Sequence, residues 1–319
     1  MRLWLPLGLM GLVGAALPVA ADPAIAAWEQ WMAKNRIPAG QISVWEDGAE
    51  IAAAQIGIDK TGAIGLASVS KTVVAACVHA LVERGRVSWS DPTARHLDIG
   101  DDRTVLEFAL HTGGLGADRT QDAPMARWRG PENDAAWSEE AFARAAEPRG
   151  TYRYSNENYA ILGAVLETQV GDIVPACRET LAMPSLTRSQ GWPGAGAFGG
   201  LAASAYDIAH LATQWASHAP DTIGTVPVRD TISYVPGAVS APLGTGRAYW
   251  HGGRLCDRPT IFHKARGTGA YWVSYGTGRV VAMTHAACLG AQTLDPLDEA
   301  LMEIATQAQE GTAGQGTDP

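Results

Sequence analysis

The stretch Ile64-Gly65-Leu66-Ala67-Ser68-Val69-Ser70-Lys71 decides how the rest of the chain reads. A short apolar run ends at Ser68, and a run of helical period opens there. Val74, Cys77, Val78 and Leu81 form one stripe, and Gly85 stands where a C-terminal cap belongs. Residues three apart on a helix are neighbours, so Ser68 and Lys71 share a face. Ser68 falls in the first turn, where free N–H groups and the helix dipole favour developing negative charge. The chain has four lysines beside twenty arginines. Arginine stays charged in proteins, whereas lysine shifts its pKa readily when buried. A lysine three residues after a serine, in the single S-x-x-K of the chain, fits an activated nucleophile. A surface lysine on an ordinary helix is the competing reading of the tetrapeptide taken alone.

The second informative segment is Tyr152-Arg153-Tyr154-Ser155-Asn156-Glu157-Asn158-Tyr159. A tyrosine phenol beside a lysine can be held as phenolate and take a proton from serine. An asparagine two residues on can accept from the lysine and donate to a substrate carbonyl. An aromatic loop that caps the following helix, with Asn156 or Asn158 as N-cap, explains the same residues, and both readings can hold together.

These segments resemble the serine β-lactamases and penicillin-binding proteins. The likeness rests on Ser68-Val69-Ser70-Lys71, on Tyr154-Ser155-Asn156 and on a lysine-bearing strand at Lys264. It is nearest to class C β-lactamases, D-alanyl-D-alanine carboxypeptidases and β-lactamase-fold esterases. Ile37-Pro38-Ala39-Gly40, Leu110-His111-Thr112-Gly113-Gly114-Leu115 and Gly199 to Asp207 follow in the family's order, so the likeness spans roughly residues 25 to 305. The resemblance implies a serine hydrolase that works through an acyl-enzyme without metal or cofactor. Ser68 would be acylated, Lys71 and Tyr154 would share the general-base role, and Asn156 would orient substrate. Lys264 would polarise Tyr154 and help bind a substrate carboxylate. The N–H groups of Ser68 and Gly267 would form the oxyanion hole.

One departure stands out. Two residues after the family's lysine comes glycine, because the strand edge runs tight against the nucleophile helix; here that place holds Arg266. On a strand Arg266 would point where Lys264 points, crowding the cleft, adding a carboxylate-binding group or marking a bulge. The literal H-x-G at His251-Gly252-Gly253 is the rival third element. His111 reads as a hydrogen-bonded loop residue. Gly194-Ala195-Gly196-Ala197-Phe198-Gly199 follows no strand, which removes a dinucleotide site, and the absence of G-x-S-x-G disfavours an α/β-hydrolase. Substrates of this type are small esters, D-amino-acid peptides, cell-wall fragments included, or β-lactams. The alternative is a non-catalytic binding protein whose turnover Arg266 blocks.

Strands are predicted at Gln41–Trp45 and 50–57, then a helical middle to about residue 215. Loops are expected at 184–200 and 235–246. Four strands follow at 247–252, 260–265, 270–275 and 279–284, with a last helix over 296–309. Strands at both ends of a helical middle imply an α+β fold: an antiparallel sheet from the N- and C-terminal strands, flanked by helices, with a helical lobe inserted. Met1-Arg2, an apolar run from Leu3 to Ala16 and Val19-Ala20-Ala21 read as an export signal, residues 1–21. That leaves a hydrolase domain over 22–310, a polar tail over 311–319, a periplasmic or secreted location and no stable membrane span. A formal net charge of −9 without basic clusters argues against nucleic acid as partner. Cys77, Cys177, Cys256 and Cys288 have no framework spacing, and four terminal strands would leave Cys256 and Cys288 at opposite ends of the sheet, so no obligatory disulfide is expected. No Cys or His pair has zinc-site spacing.

Overall fold

The computed structural model describes residues 22–144, 148–257 and 266–313. The helices in chain order are α1 (Pro23–Lys34), α2 (Ser70–Glu83), α3 (Val105–Ala109), α4 (Met125–Arg129), α5 (Asp134–Phe142), α6 (Asn156–Val170), α7 (Ile173–Thr180), α8 (Gly196–Gly199), α9 (Ala205–Ser217) and α10 (Asp295–Ala313). The strands are β1 (Gly40–Glu46), β2 (Ala49–Ile56), β3 (Ile64–Gly65), β4 (Thr187–Arg188), β5 (Leu201–Ala203), β6 (Val226–Arg229), β7 (Ile232–Val235), β8 (Ala238–Leu243), β9 (Gly246–Cys256), β10 (Gly267–Ser274) and β11 (Val280–His285).

Eight strands form one antiparallel sheet in the order β2-β1-β11-β10-β9-β8-β7-β6, and β3-β5-β4 form a small second one. The N-terminal hairpin thus joins the C-terminal meander through β1 and β11, as the α+β reading predicts. Asp47 and Gly48 both have positive φ, 48° and 84°, the twist that a two-residue hairpin requires. Both faces of the central strands are covered. Tyr271 and Val273 of β10 pack with Trp28, Trp31 and Met32 of α1 and Leu297 and Leu301 of α10. Ala270 and Trp272 of β10 join the opposite core with Val73 and Val74 of α2 and Ile208 and Ala212 of α9. Burial on both sides explains why β10 and β11 read as continuous apolar runs rather than alternating ones.

The structure corrects three expectations. The segment expected as a loop over 235–246 holds the end of β7 and all of β8. Pro227, Pro236, Pro242 and Gly237 disguise it, and the outermost strand, β6, tolerates its proline because an edge has no second ladder to lose. The strand expected at 260–265 lies outside the described residues, and among the described residues three long strands, β9, β10 and β11, lie on this side. β9 and β11 therefore run in the same direction, and their C-terminal ends coincide. A Cys256–Cys288 disulfide joins those ends, and Cys77–Cys177 ties α2 to α7, against the expectation of no bridge. The last helix also continues to Ala313, into the segment read as tail. No single helix among the described residues is long and apolar enough to cross a membrane.

Candidate active site

The chain enters the site through β3, and Ala67 then adopts φ +49°, a left-handed conformation that costs an L-residue about 1–3 kcal/mol. This turn sets Ser68 in a short 3-10 segment, Ala67–Val69, that runs directly into α2. Lys71, on the first turn of α2, is fully buried. Its Nζ donates to Asn156 Oδ1 at 2.8 Å, to the Phe198 carbonyl at 2.8 Å and toward Ser68 Oγ at 3.1 Å. Desolvation brings the ammonium down from 10.5 to about 7, with the Asp118 charge opposing the shift. Helix spacing and face bury the amine, and that burial brings it near its titration point at neutral pH.

Those acceptors are themselves held. Ser155 caps α6 by accepting from Glu157 N–H, which fixes Asn156 at the first helical position. Asn156 Nδ2 donates to Thr120 Oγ1 at 2.9 Å, and Thr120 Oγ1 donates to Asp118 at 2.7 Å. The Asn156 amide is thus committed to Lys71 and Thr120, and it orients the Lys71 amine. The Phe198 carbonyl is placed by Asp134, a fully buried carboxylate that accepts the Ala197 N–H at 2.9 Å. Burial pushes the Asp134 pKa well above the usual range, against that hydrogen bond.

Tyr154 exposes part of its ring to the cleft while its hydroxyl hydrogen-bonds Ser68. Its ring lies 5.0 Å from Lys71 Nζ and sits tilted by 35° against the His111 ring, with centroids 4.4 Å apart. Burial of the hydroxyl, opposed by its hydrogen bond with Ser68 and joined by Tyr152 and Asp118, raises the phenol pKa above its ordinary value, a direction that favours the neutral phenol. His111 Nδ1 accepts from Ser155 N–H and faces Asn158 Nδ2, the hydrogen-bonded loop role expected of it.

The third element differs from the expectation. An added Cβ on Gly253 would stand 2.5 Å from Ser68 N and 2.6 Å from Leu66 O, so β9 is the strand that runs tight against Ser68. His251, two residues earlier, is buried beside Lys71 and hydrogen-bonds the Ser68 backbone; burial and the Lys71 charge hold its pKa down at about 3. The close approach that requires glycine is real, but it falls in His251-Gly252-Gly253. Lys264 lies outside the described residues.

Arg266 and Gly267 are placed away from Ser68. Arg266 is exposed, and its carbonyl accepts the Asp257 N–H, four residues and roughly 13 Å of strand beyond Gly253. Gly267 packs against the Cys288 backbone and pairs with Cys256, so its N–H is not an oxyanion donor. Register supplies another group. Asp257 and Arg266 are a hydrogen-bonded pair, and bonded and non-bonded pairs alternate along an antiparallel ladder, which makes Arg254–Gly269 non-bonded. The Arg254 N–H therefore points away from β10, and β8 reaches only to Trp250. It opens into the cleft beside the Ser68 N–H. The Arg254 side chain donates to the Leu289 carbonyl at 3.0 Å.

Ser68, Asp118, Tyr154, Asn156 and Phe198 line a cavity of about 330 Å³. It adjoins a groove of about 820 Å³ walled by Trp128, Trp192 and Leu255. The sequence reading missed the Phe198 carbonyl, Asp134, Asp118 and the Arg254 N–H. None carries a local signature, since each acts through a backbone group or through a chain position set by tertiary contact.

A family model described as Beta-lactamase matches residues 25–187. No curated protein matches the chain. Among solved structures, SurE with D-Leu superposes with a TM-score of 0.69 at 20% identity, over 89% of this chain and 75% of that one. The D-amino acid amidase from Ochrobactrum anthropi SV3 complexed with L-phenylalanine gives 0.68 at 15% identity, over 91% and 99%. The penicillin-binding protein homologue from Pyrococcus abyssi gives 0.64 at 17% identity, over 83% and 73%.

Proposed function

The chain belongs to the β-lactamase family, and from that premise we propose that it is an exported serine hydrolase that forms an acyl-enzyme at Ser68. The observation that carries this reading is the Lys71 amine, buried, 3.1 Å from Ser68 Oγ and near neutrality in pKa. In its neutral form Nζ has two protons. The Asn156 and Phe198 carbonyls take both, and the lone pair is left facing Ser68 Oγ. The serine proton passes to Nζ as Oγ attacks the substrate carbonyl carbon. The resulting oxyanion meets the N–H groups of Ser68 and Arg254. On collapse the bond to the leaving group breaks, and the Tyr154 hydroxyl relays a proton from Lys71 to the departing oxygen or nitrogen. Water then repeats the sequence on the acyl-enzyme. Basicity thus rests on Lys71, with Tyr154 as relay.

The substrate is a small ester or an amide of D-amino-acid type. His251 is neutral at working pH, so the cation that the third element offers a substrate carboxylate is the Arg254 guanidinium, which lines both the cavity and the groove and gives one N–H to the Leu289 carbonyl. Two paired disulfides suit an oxidising compartment, which supports export with cleavage after Ala21. Intact-mass analysis tests the reading. A fluorophosphonate should add one label to wild type and none to Ser68→Ala, and equal labelling of both removes Ser68 from the chemistry. N-terminal sequencing of secreted or periplasmic protein should begin at Asp22; an intact Met1 there refutes cleavage.

A further inference from the structure

At the far end of α2, about 16 Å along the helix from Ser68 by its rise per residue, three metal-ligating side chains converge outside the catalytic cleft. His79 and Glu83 lie one turn apart on α2, and His218 is the C-cap residue of α9. His79 Nε2 and His218 Nε2 stand 3.8 Å and 3.9 Å from the same oxygen, Glu83 Oε1. One ligand atom from each residue falls within 4.8 Å of the other two. The two imidazoles meet edge to face, with centroids 5.2 Å apart and planes at 84°.

The rings are oriented before any ion arrives. His218 Nδ1 lies 2.7 Å from the Gln214 carbonyl, which can only accept, so Nδ1 carries the proton and Nε2 presents its lone pair to Glu83. A backbone carbonyl on the distal nitrogen is the usual device that fixes a metal-binding histidine in one tautomer. His79 is clamped by aromatic rings, stacked with Trp89 at 6.4 Å and edge-on to Trp215 at 5.5 Å. Glu83 and His218 are exposed and free to adjust toward the ligand spacing of a tetrahedral zinc site, about 3.4 Å at the usual bond lengths. A cavity of about 110 Å³, bordered by Thr180 and Gln214, leaves a fourth position for water.

We propose that His79, Glu83 and His218 form a site for a borderline divalent transition metal of the Zn²⁺ class, which fastens the distal end of the nucleophile helix to the end of α9. Two imidazoles and one carboxylate select such an ion over Mg²⁺ or Ca²⁺, which take oxygen ligands. The site is structural, and hydrolysis at Ser68 does not pass through it.

The test uses the tag-free mature protein, stripped with EDTA and dialysed. Calorimetric titration with ZnCl₂ should give one saturable site, MgCl₂ none, and Zn²⁺ at a hundredfold excess over Kd should raise the Tm by about 5 °C. Co²⁺ should give the intense visible bands of a four-coordinate ion. Glu83→Gln and His218→Gln alter exposed side chains, so both should fold with unchanged Tm in EDTA and each should weaken Zn²⁺ at least about tenfold. No saturable Zn²⁺ site in wild type, a six-coordinate Co²⁺ spectrum, or undiminished binding in both variants overturns the proposal.

Discussion

The two walls of the cleft behave differently as text. The nucleophile wall is local: Ser68 and Lys71 are three residues apart on one helical face, and their 3.1 Å contact follows from helix geometry alone. The strand wall is non-local. Which strand lies against Ser68 depends on how the terminal segments pair, and the described pairing brings Gly253, two residues after His251, against Ser68. The close approach that demands glycine is sound; the structure places it at Gly253. A motif that lives within one helix can be numbered from sequence, whereas a motif that needs a sheet edge requires the sheet first.

The largest effects should come from the local wall. Ser68→Ala is expected to abolish acyl-enzyme formation, read by intact mass. Lys71→Met should lower kcat/KM by about 10²–10⁴-fold, since it removes the base and leaves Asn156 and Phe198 without their donor. Activity of the wild type should rise with pH through about 7 as Lys71 loses its proton. The same shift sets a stability slope. The folded pKa lies below the unfolded 10.5, so between pH 7 and 10 the unfolded chain binds more protons and wild type gains stability with pH. Urea melts of wild type relative to Lys71→Met should show that gain; a flat difference would mean that Lys71 is not desolvated.

The strand wall is tested next. Gly253→Val forces side-chain carbon against Ser68 N and should cost about 10²-fold or more in kcat, the loss typical of one oxyanion donor, with the circular dichroism unchanged. Full activity in that variant would return the third element to the Lys264 segment and erase the contrast between the walls. The disulfides measure the strand count by stability. Cys77–Cys177 closes 100 residues and Cys256–Cys288 closes 32, so by loop entropy the Cys77→Ala/Cys177→Ala pair should lose about 1 kcal/mol more than Cys256→Ala/Cys288→Ala. If removal of Cys256 and Cys288 changes nothing, β9 and β11 do not end together.

Much of the fold was legible. The Asp47-Gly48 hairpin and the apolar runs of β10 and β11 announce themselves through turn chemistry and double-sided burial, whereas the cap of α6 is Ser155 and not the Asn156 or Asn158 that the sequence suggests. β7 and β8 were hidden because Pro236-Gly237 punctuates a hairpin that sits at the sheet margin. In the site, Ser68, Lys71, Tyr154 and Asn156 could be nominated from side-chain chemistry. The tasks of Phe198 and Arg254 could not, because they contribute backbone groups whose identity no side chain advertises.

The smallest expected effect is the most discriminating. Had Arg266 stood two residues past the third element, Arg266→Gly would open the cleft, raise turnover of bulky substrates and weaken binding of small anionic ones. In the structure Arg266 is exposed at the β9–β10 connection, its backbone bound to Asp257, and it lines neither the cavity at Ser68 nor the adjoining groove. An exposed guanidinium roughly 13 Å of strand from Gly253 acts on the cleft only through solvent-screened charge, which fades over a Debye length of about 8 Å at physiological salt. Arg266→Gly should therefore leave kcat/KM for both small and bulky esters within about twofold, at low and high salt alike, since surface charge changes seldom exceed about 0.5 kcal/mol. A selective gain for bulky esters would show that this segment reaches the cleft, and the strand wall would have to be renumbered from Arg266 backward.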